Sequence, residues 1–371
     1  RARLQSVVQQ LIEEQPHLAR HRQLWHLRTL GVGAHHGGQL PAWKLLLETL
    51  MTQGLLDAIF ATSTVAAGVN FPARSVVFFH SDRFNGRQFV PLTPTEFHQM
   101  SGRAGRRGMD NIGFAVLVPG PTMDVQHMAQ LLRSPPSDIP SRVRVTFTMV
   151  MNLLLSHTPG AIERLLARSF AAHLQQNRRQ ERLLDDFSRH LDFLKRHAYV
   201  EPDGMLSDTG RWASQLRVDQ PLLIAQALQR GVLPTRDPAL LAAIVASFVY
   251  DREADPHLAK GQVTRPLERA FVQLQRSLQP FLLQLKRAGF ETKPLYLRPA
   301  AAMHAWATGN PWTRALSILQ MADGDLSMLV SRTADNLRHI QTLNPDFPHA
   351  ARTAAQAIDL IMREPVTLQF L

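Results

Sequence analysis

Residues 93–110 read TPTEFHQMSGRAGRRGMD, with three arginines set among three glycines in the second half. Guanidinium groups are planar, permanently charged and rich in donors. A cluster of them therefore suits a polyphosphate and can offset the charge on a transferring phosphoryl group, the work of an arginine finger. Thr93 stands three residues before Glu96 with Pro94 between, a capping box with proline at the first helical position, so a helix is predicted to start at Pro94. Carried on through the arginines, that helix would align Gln99, Arg103 and Arg106 at i, i+4 and i+7 on one face. Gly102 and Gly105 would permit close backbone approach. The same residues also fit a solvated basic helix end, because cations favour a helix C-terminus and glycine ends a helix.

The elements around this stretch bring two more groups of polar residues. A short strand is predicted over 31–34, followed by a loop of His35, His36, Gly37 and Gly38 and a helix from Pro41 to Leu50. Glycines there leave amide N–H groups able to meet a phosphate at a helix start. Residues 56–61 read as a buried strand feeding Thr62, Ser63 and Thr64, after which Ala66, Ala67 and Gly68 keep the turn small enough for a ligand to reach the backbone. A second strand is expected at 75–80 and another buried strand at 113–118, and Asn85-Gly86 marks a hairpin flanked by Phe84 and Phe89. Strands alternating with helices define a parallel α/β sheet.

QMSGRAGRRGMD resembles motif VI of the superfamily 2 DExH helicases, in the branch that holds the Ski and Mtr exosome helicases and the archaeal Hel-type enzymes. AHHGGQLP at 34–41 is similar to that branch's HHxGL(L)P segment, and FATSTVAAGVNFPARSVVF at 60–78 resembles its motif V, in the expected order. The resemblance implies a second RecA-like domain. ATP would then bind between two such domains, with Gln99, Arg103 and Arg106 facing the γ-phosphate and the Gly68 and Asn70 backbone contributing from motif V. It also implies nucleic-acid contacts at His35, His36, Gly37, Thr62 and Thr64, and at Phe84 if the hairpin parts a duplex. A plain structural hairpin accounts equally well for residues 83–90.

The 371 residues exceed one ordinary domain, and Lys plus Arg outnumber Asp plus Glu by 41 to 30, giving a net charge of +11. That excess points to a partner carrying phosphates, nucleic acid being the simplest. The longest apolar run, 240–250, is too short to span a membrane, and zero cysteines exclude disulfides and thiolate metal sites. A cytoplasmic, monomeric protein is expected. The chain opens on Arg1 and contains neither G-x-x-x-x-G-K-[ST] nor a DExH tetrapeptide, so it is read as part of a longer protein whose missing domain would supply the phosphate loop and the Mg²⁺ ligands.

The fold class expected is an α/β RecA-like domain over 1–133, a linker at 134–141 marked by SPPSDIP, a winged-helix domain over 142–236 and an all-α helical bundle over 237–371. The winged helix rests on helical patterns followed by two short strands, Tyr199-Val200 and Met205-Leu206, flanking the turn EPDG. The bundle is similar to the DSHCT-type domain of the branch, through WATGNPW at 306–312 and ADGDLSMLVSRTADNLRHI at 322–340. There is no room for the long arch insertion of the Ski and Mtr enzymes. In the helix over 326–340, Leu326, Leu329, Val330, Thr333, Leu337 and Ile340 follow the 3.6 period, leaving Met328, Arg332, Asp335, Asn336 and His339 on the opposite side. The resemblance makes this a ratchet helix whose Arg332 contacts the strand. The function expected is the C-terminal portion of an ATP-dependent helicase moving 3′ to 5′ on single-stranded or 3′-tailed RNA or DNA. The alternative is a non-catalytic nucleic-acid-binding adaptor with the same fold.

Overall fold

The computed structural model describes residues 1–62, 73–86, 88–106, 108–138, 141, 143–173, 178–250 and 257–367. The chain separates into two compact units, Arg1–Ile139 and Pro140–Thr367.

In the first unit the helix Ala2–Glu14 gives way to a 3-10 turn at Pro16–Arg20, where proline removes a backbone donor. Leu4, Val8, Leu18 and Leu27 pack with Trp43, Leu46, Leu47 and Leu50 of the helix Pro41–Thr52 into one small core. That helix links two parallel strands, β1 (Val32–His35) and β2 (Ala58–Ala61), paired from Val32 with Ala58 to His35 with Ala61. A second parallel pair joins β3 (Ser75–Phe78) to β6 (Phe114–Leu117). Between them lies an antiparallel hairpin, β4 (Asp82–Phe84) with β5 (Phe89–Pro91). Phe78, Leu92 and Phe97 meet Met128 and Leu131 of the helix Val125–Arg133 in a second small core.

The parallel pairing matches the expectation, but β2 and β6, expected to be buried, contain no buried residue. Phe60 is 58% exposed, Val77 45% and Phe114 46%. A parallel strand becomes fully buried only when helices cover both faces, and among the described residues each parallel pair is a sheet of only two strands.

The second unit is helical throughout its regular elements and has a single core running from Val145 to Val366. At its centre the helix Pro238–Val249 is buried on nearly all sides, its alanines allowing close approach of the helices Leu297–Ala307, Asp323–Gln341 and Pro348–Ile361. The two short strands expected around EPDG are reduced to one antiparallel bridge, Val200 with Leu206. Ser207 already caps the helix Asp208–Ala213 through Gly210 N–H, which leaves no length for a longer ladder. The chain is thus mostly helical with small parallel sheets.

Candidate nucleotide and nucleic-acid site

The capping box forms as its residue types require. Glu96 N–H donates to Thr93 Oγ1 at 3.3 Å, and Thr93 N–H donates to Glu96 Oε2 at 2.9 Å. Burial pushes the Glu96 carboxyl upward, but hydrogen bonds from Thr93 and the charge of Arg83 outweigh it and hold the group below its ordinary value. The Arg83–Glu96 ion pair also ties the β4–β5 hairpin to the first turn of this helix.

The helix then stops sooner than expected, spanning Pro94–Ser101. Gly102 is its C-cap. Beyond it the backbone leaves the helical path to pair with Ala73: Ala73 N–H donates to Arg103 O at 3.1 Å, and Gly105 N–H to Ala73 O at 2.8 Å. Gly105 has φ +89, which favours glycine. Gly113 seals the arrangement from the other side, since a Cβ there would lie 2.4 Å from the Ala104 carbonyl carbon. Gln99, Arg103 and Arg106 therefore do not form one helix face. Gln99 is exposed on the helix, Arg103 is half-buried in the following turn, and Arg106 is half-buried in the loop. Strand pairing with Ala73 replaced the helical hydrogen bonds that the i, i+4, i+7 spacing presupposed.

Arg106 is held by Asp110. Its Nε and Nη2 donate to the two carboxylate oxygens at 2.8 and 2.9 Å, and its backbone N–H donates to Oδ2 at 3.0 Å. These hydrogen bonds stabilise the ionised carboxylate and lower the Asp110 pKa from 3.8 to about 2. A depressed carboxyl supports the fold above its unfolded pKa, and that support is lost as pH falls through the folded value. The Asp110 carboxyl resonance is accordingly expected to titrate near pH 2, with the Arg106 loop intact at pH 4. A midpoint at the ordinary carboxylate value would show that the fork is not formed in solution.

β1 and β2 end side by side at His35 and Ala61, the edge at which parallel sheets carry ligands. Thr62 N–H donates to His35 O at 3.3 Å and Thr62 is exposed. Thr64, Gly68 and Asn70 lie outside the described residues. The His35 side chain is only 5% exposed and its Nε2 sits 3.0 Å from Glu48 Oε1, so it faces inward and acts on the loop rather than on its surface. His36 accepts the Gly38 N–H at Nδ1, and the Gln39 amide bridges its Nε2 at 3.1 Å to His21 Nε2 at 2.9 Å. His21 in turn stacks on Trp43 at 3.5 Å. Gly37 is exposed at the tip, with open space around its Cα. Phe84 and Phe89 face each other across the hairpin, ring centroids 5.4 Å apart, and both are exposed.

In the second unit Arg332 lies on the helix Asp323–Gln341. The six apolar-period positions from Leu326 to Ile340 are all buried, as their spacing predicts. Met328 is 54% exposed on the other side. Asn336 departs from the expected polar face: it is buried because its Nδ2 donates inward to Asp219 Oδ2 at 3.4 Å and to Arg332 O at 2.9 Å. Asp219 also accepts from Arg332 Nη2 at 2.6 Å.

Sequence reasoning missed the residues that hold these groups: Asp110, Gly113, His21, Gln39 and Asp219. Asp110 could have been found, because an acid four residues beyond an arginine is a pairing signal. His21 and Asp219 reach their partners across sequence distances that leave no local pattern. Among the described residues no group of three His, Asp or Glu side chains could hold a metal ion, and no helix is long and apolar enough to cross a membrane.

The structure has one unit with small parallel sheets and one helical unit, and the comparisons with known proteins say what they are similar to. Residues 203–369 match the DSHCT (NUC185) domain family. The chain is 36% identical over 252 residues to "Superkiller complex protein 2" of Mus musculus, covering 65% of this chain and 19% of that protein. It is 43% identical over 143 residues to "Probable helicase HelY" of Mycobacterium tuberculosis, 38% of this chain and 16% of the relative. It is also 44% identical over 124 residues to "Exosome RNA helicase MTR4" of Homo sapiens, 33% of this chain and 12% of the relative. The match therefore spans less than a fifth of each relative's length. Together these matches mark the chain as a Ski2-like superfamily 2 helicase C-terminal region.

Proposed function

We propose that this chain is the second RecA-like domain, winged-helix domain and helical domain of an ATP-dependent helicase that moves 3′ to 5′ along single-stranded or 3′-tailed RNA in the cytoplasm, acting as a monomer. The observation that carries the reading is the loop after Ser101, pinned between Ala73 and Gly113 so that the backbones of Arg103 and Arg106 are fixed just past the helix that carries the exposed Gln99. Preorganised cations that need no rearrangement are what phosphoryl transfer requires. These three residues suit the phosphates of ATP. The ligands of Mg²⁺ would lie on a phosphate-loop domain joined to this chain. ATP supplies the free energy. This chain's residues would orient its phosphates and grip the strand through the Gly37 loop, Thr62 and Arg332. RNA is preferred to DNA because one of the relatives is named "Exosome RNA helicase MTR4".

Strand binding by the chain tests the reading. A labelled single-stranded RNA should bind with log K falling linearly in log salt, by about 0.7 for each phosphate contacted. Substituting bases at constant length should change affinity little. Affinity insensitive to salt, or no affinity at all, would defeat the proposal.

A further inference from the structure

Arg332 is the proposed strand contact on the helix Asp323–Gln341, yet the structure gives that guanidinium a partner from a distant part of the same unit. Asp219 lies in the turn between the helices Asp208–Ala213 and Pro221–Gln229, and its Oδ1 accepts from Arg332 Nη2 at 2.6 Å. Both side chains keep solvent access, 30% for Arg332 and 24% for Asp219, so the pair can be reached from outside.

We infer that Asp219 is a built-in competitor for the strand, holding Arg332 in the strand-free chain and releasing it when a phosphate arrives. The inference rests on the reading of this helix as a strand contact. A phosphodiester and a carboxylate each carry one negative charge and both match the guanidinium fork. Arg332 can therefore exchange one for the other with little change in its own environment.

The two partners are not equally movable. Asp219 has a second donor, Asn336 Nδ2 at 3.4 Å, and its neighbour Gln220 anchors the turn through Nε2 to Phe248 O at 2.9 Å in the buried interior. Turning the Asn336 amide around would aim its oxygen at the carboxylate, so that donor stays in place. Asp219 is thus fixed and the long Arg332 side chain is the part that swings.

The chemistry suits a strand that must advance. A cation with no competing anion would hold each phosphate until thermal escape, whereas Asp219 shortens the hold by offering Arg332 an alternative at every step. Asp219 also alters the ionic bookkeeping of binding. A phosphate reaching Arg332 sheds a counterion, but the released carboxylate takes up a cation and offsets the loss.

Asp219→Asn keeps the shape of the side chain and an oxygen for Asn336 while removing the charge. In the 371-residue chain this variant is expected to bind labelled single-stranded RNA about twofold to fivefold more tightly, the range for a partly exposed ion pair no longer to be broken. The slope of log K against log salt should steepen by up to about 0.7. Asp219→Ser, which also deletes the charge but is smaller, should give the same direction, and thermal melting confirms that each variant is folded. In an Arg332→Ala background neither substitution should tighten binding, which is the coupling a double-mutant cycle reads.

An equal gain in the Arg332→Ala background would reduce Asp219 to a general charge effect and overturn the inference. Unchanged or weaker binding by both Asp219 variants, with Arg332→Ala still weakening it, would make Asp219 a structural staple and leave the strand contact standing. Wild-type affinity in Arg332→Ala alone would remove the strand contact itself, and the competitor with it.

Discussion

Arg103→Ala and Arg106→Ala, each introduced into a protein that joins this chain to a phosphate-loop domain, are expected to cut ATP turnover on the order of 10³-fold. Strand affinity should stay nearly unchanged. The effect is large because a guanidinium aimed at the transferring phosphoryl group stabilises charge that exists fully only in the transition state. Lysine should not restore the rate at either position, since a point charge lacks the planar fork. Arg106 is oriented by Asp110 through two side-chain hydrogen bonds, so Asp110→Asn should lower turnover in the same direction by a smaller factor. At Arg103 the backbone is held as well, its carbonyl accepting from Ala73 N–H. Steady-state hydrolysis with saturating strand measures all three. Wild-type turnover in both arginine variants would leave the loop without a nucleotide role and favour the adaptor.

The parts legible in the sequence were those decided by neighbours along the chain. The capping box at Thr93 and Glu96, the helix from Pro41 and the hairpin at Asn85 depend on local chemistry, and each forms. So does the apolar face of the helix Asp323–Gln341, because its period of 3.6 leaves one solution for burial. The loop after Ser101 went another way. Its residue spacing fits a continued helix, and only Ala73, thirty residues earlier, and Gly113, just before β6, draw the backbone off that path. Neither leaves a mark in the local pattern. Asn336 shows the same limit. Its polarity assigns it to solvent, but a carboxylate from more than a hundred positions away makes an inward position favourable. The exposed strands failed for a different reason, since an apolar run records what a strand can bury and not whether the covering helix stands over it.

Trp306→Ala is expected to destabilise the chain by about 3–5 kcal/mol, the usual range for deleting a fully buried aromatic side chain. That is a large part of the roughly 5–15 kcal/mol by which folded domains are stable. The indole is 2% exposed and ties together helix ends that are remote in sequence. Its Nε1–H donates to Ile361 O at 2.8 Å, where the helix Pro348–Ile361 ends. Arg363 lies over its ring at 3.5 Å from the centroid and donates to the Trp306 carbonyl at 2.6 Å. Trp312 meets it edge-on at 5.0 Å and donates its own Nε1–H to Asp323 Oδ1 at 2.8 Å, at the start of the helix that carries Arg332. The WATGNPW run therefore fastens the ends of four helices around one ring. Trp306→Phe keeps most of the buried area and the face for Arg363 but leaves Ile361 O without its donor, a loss of about 1–3 kcal/mol. Arg363→Ala should fall in a similar range, about 1–2 kcal/mol, from the cation–π contact and the hydrogen bond together. Urea unfolding of the three variants checks the order, with alanine at Trp306 the most severe. A cost below about 1 kcal/mol for Trp306→Ala, less than the value of its hydrogen bond alone, would mean that the ring fills space without fastening anything.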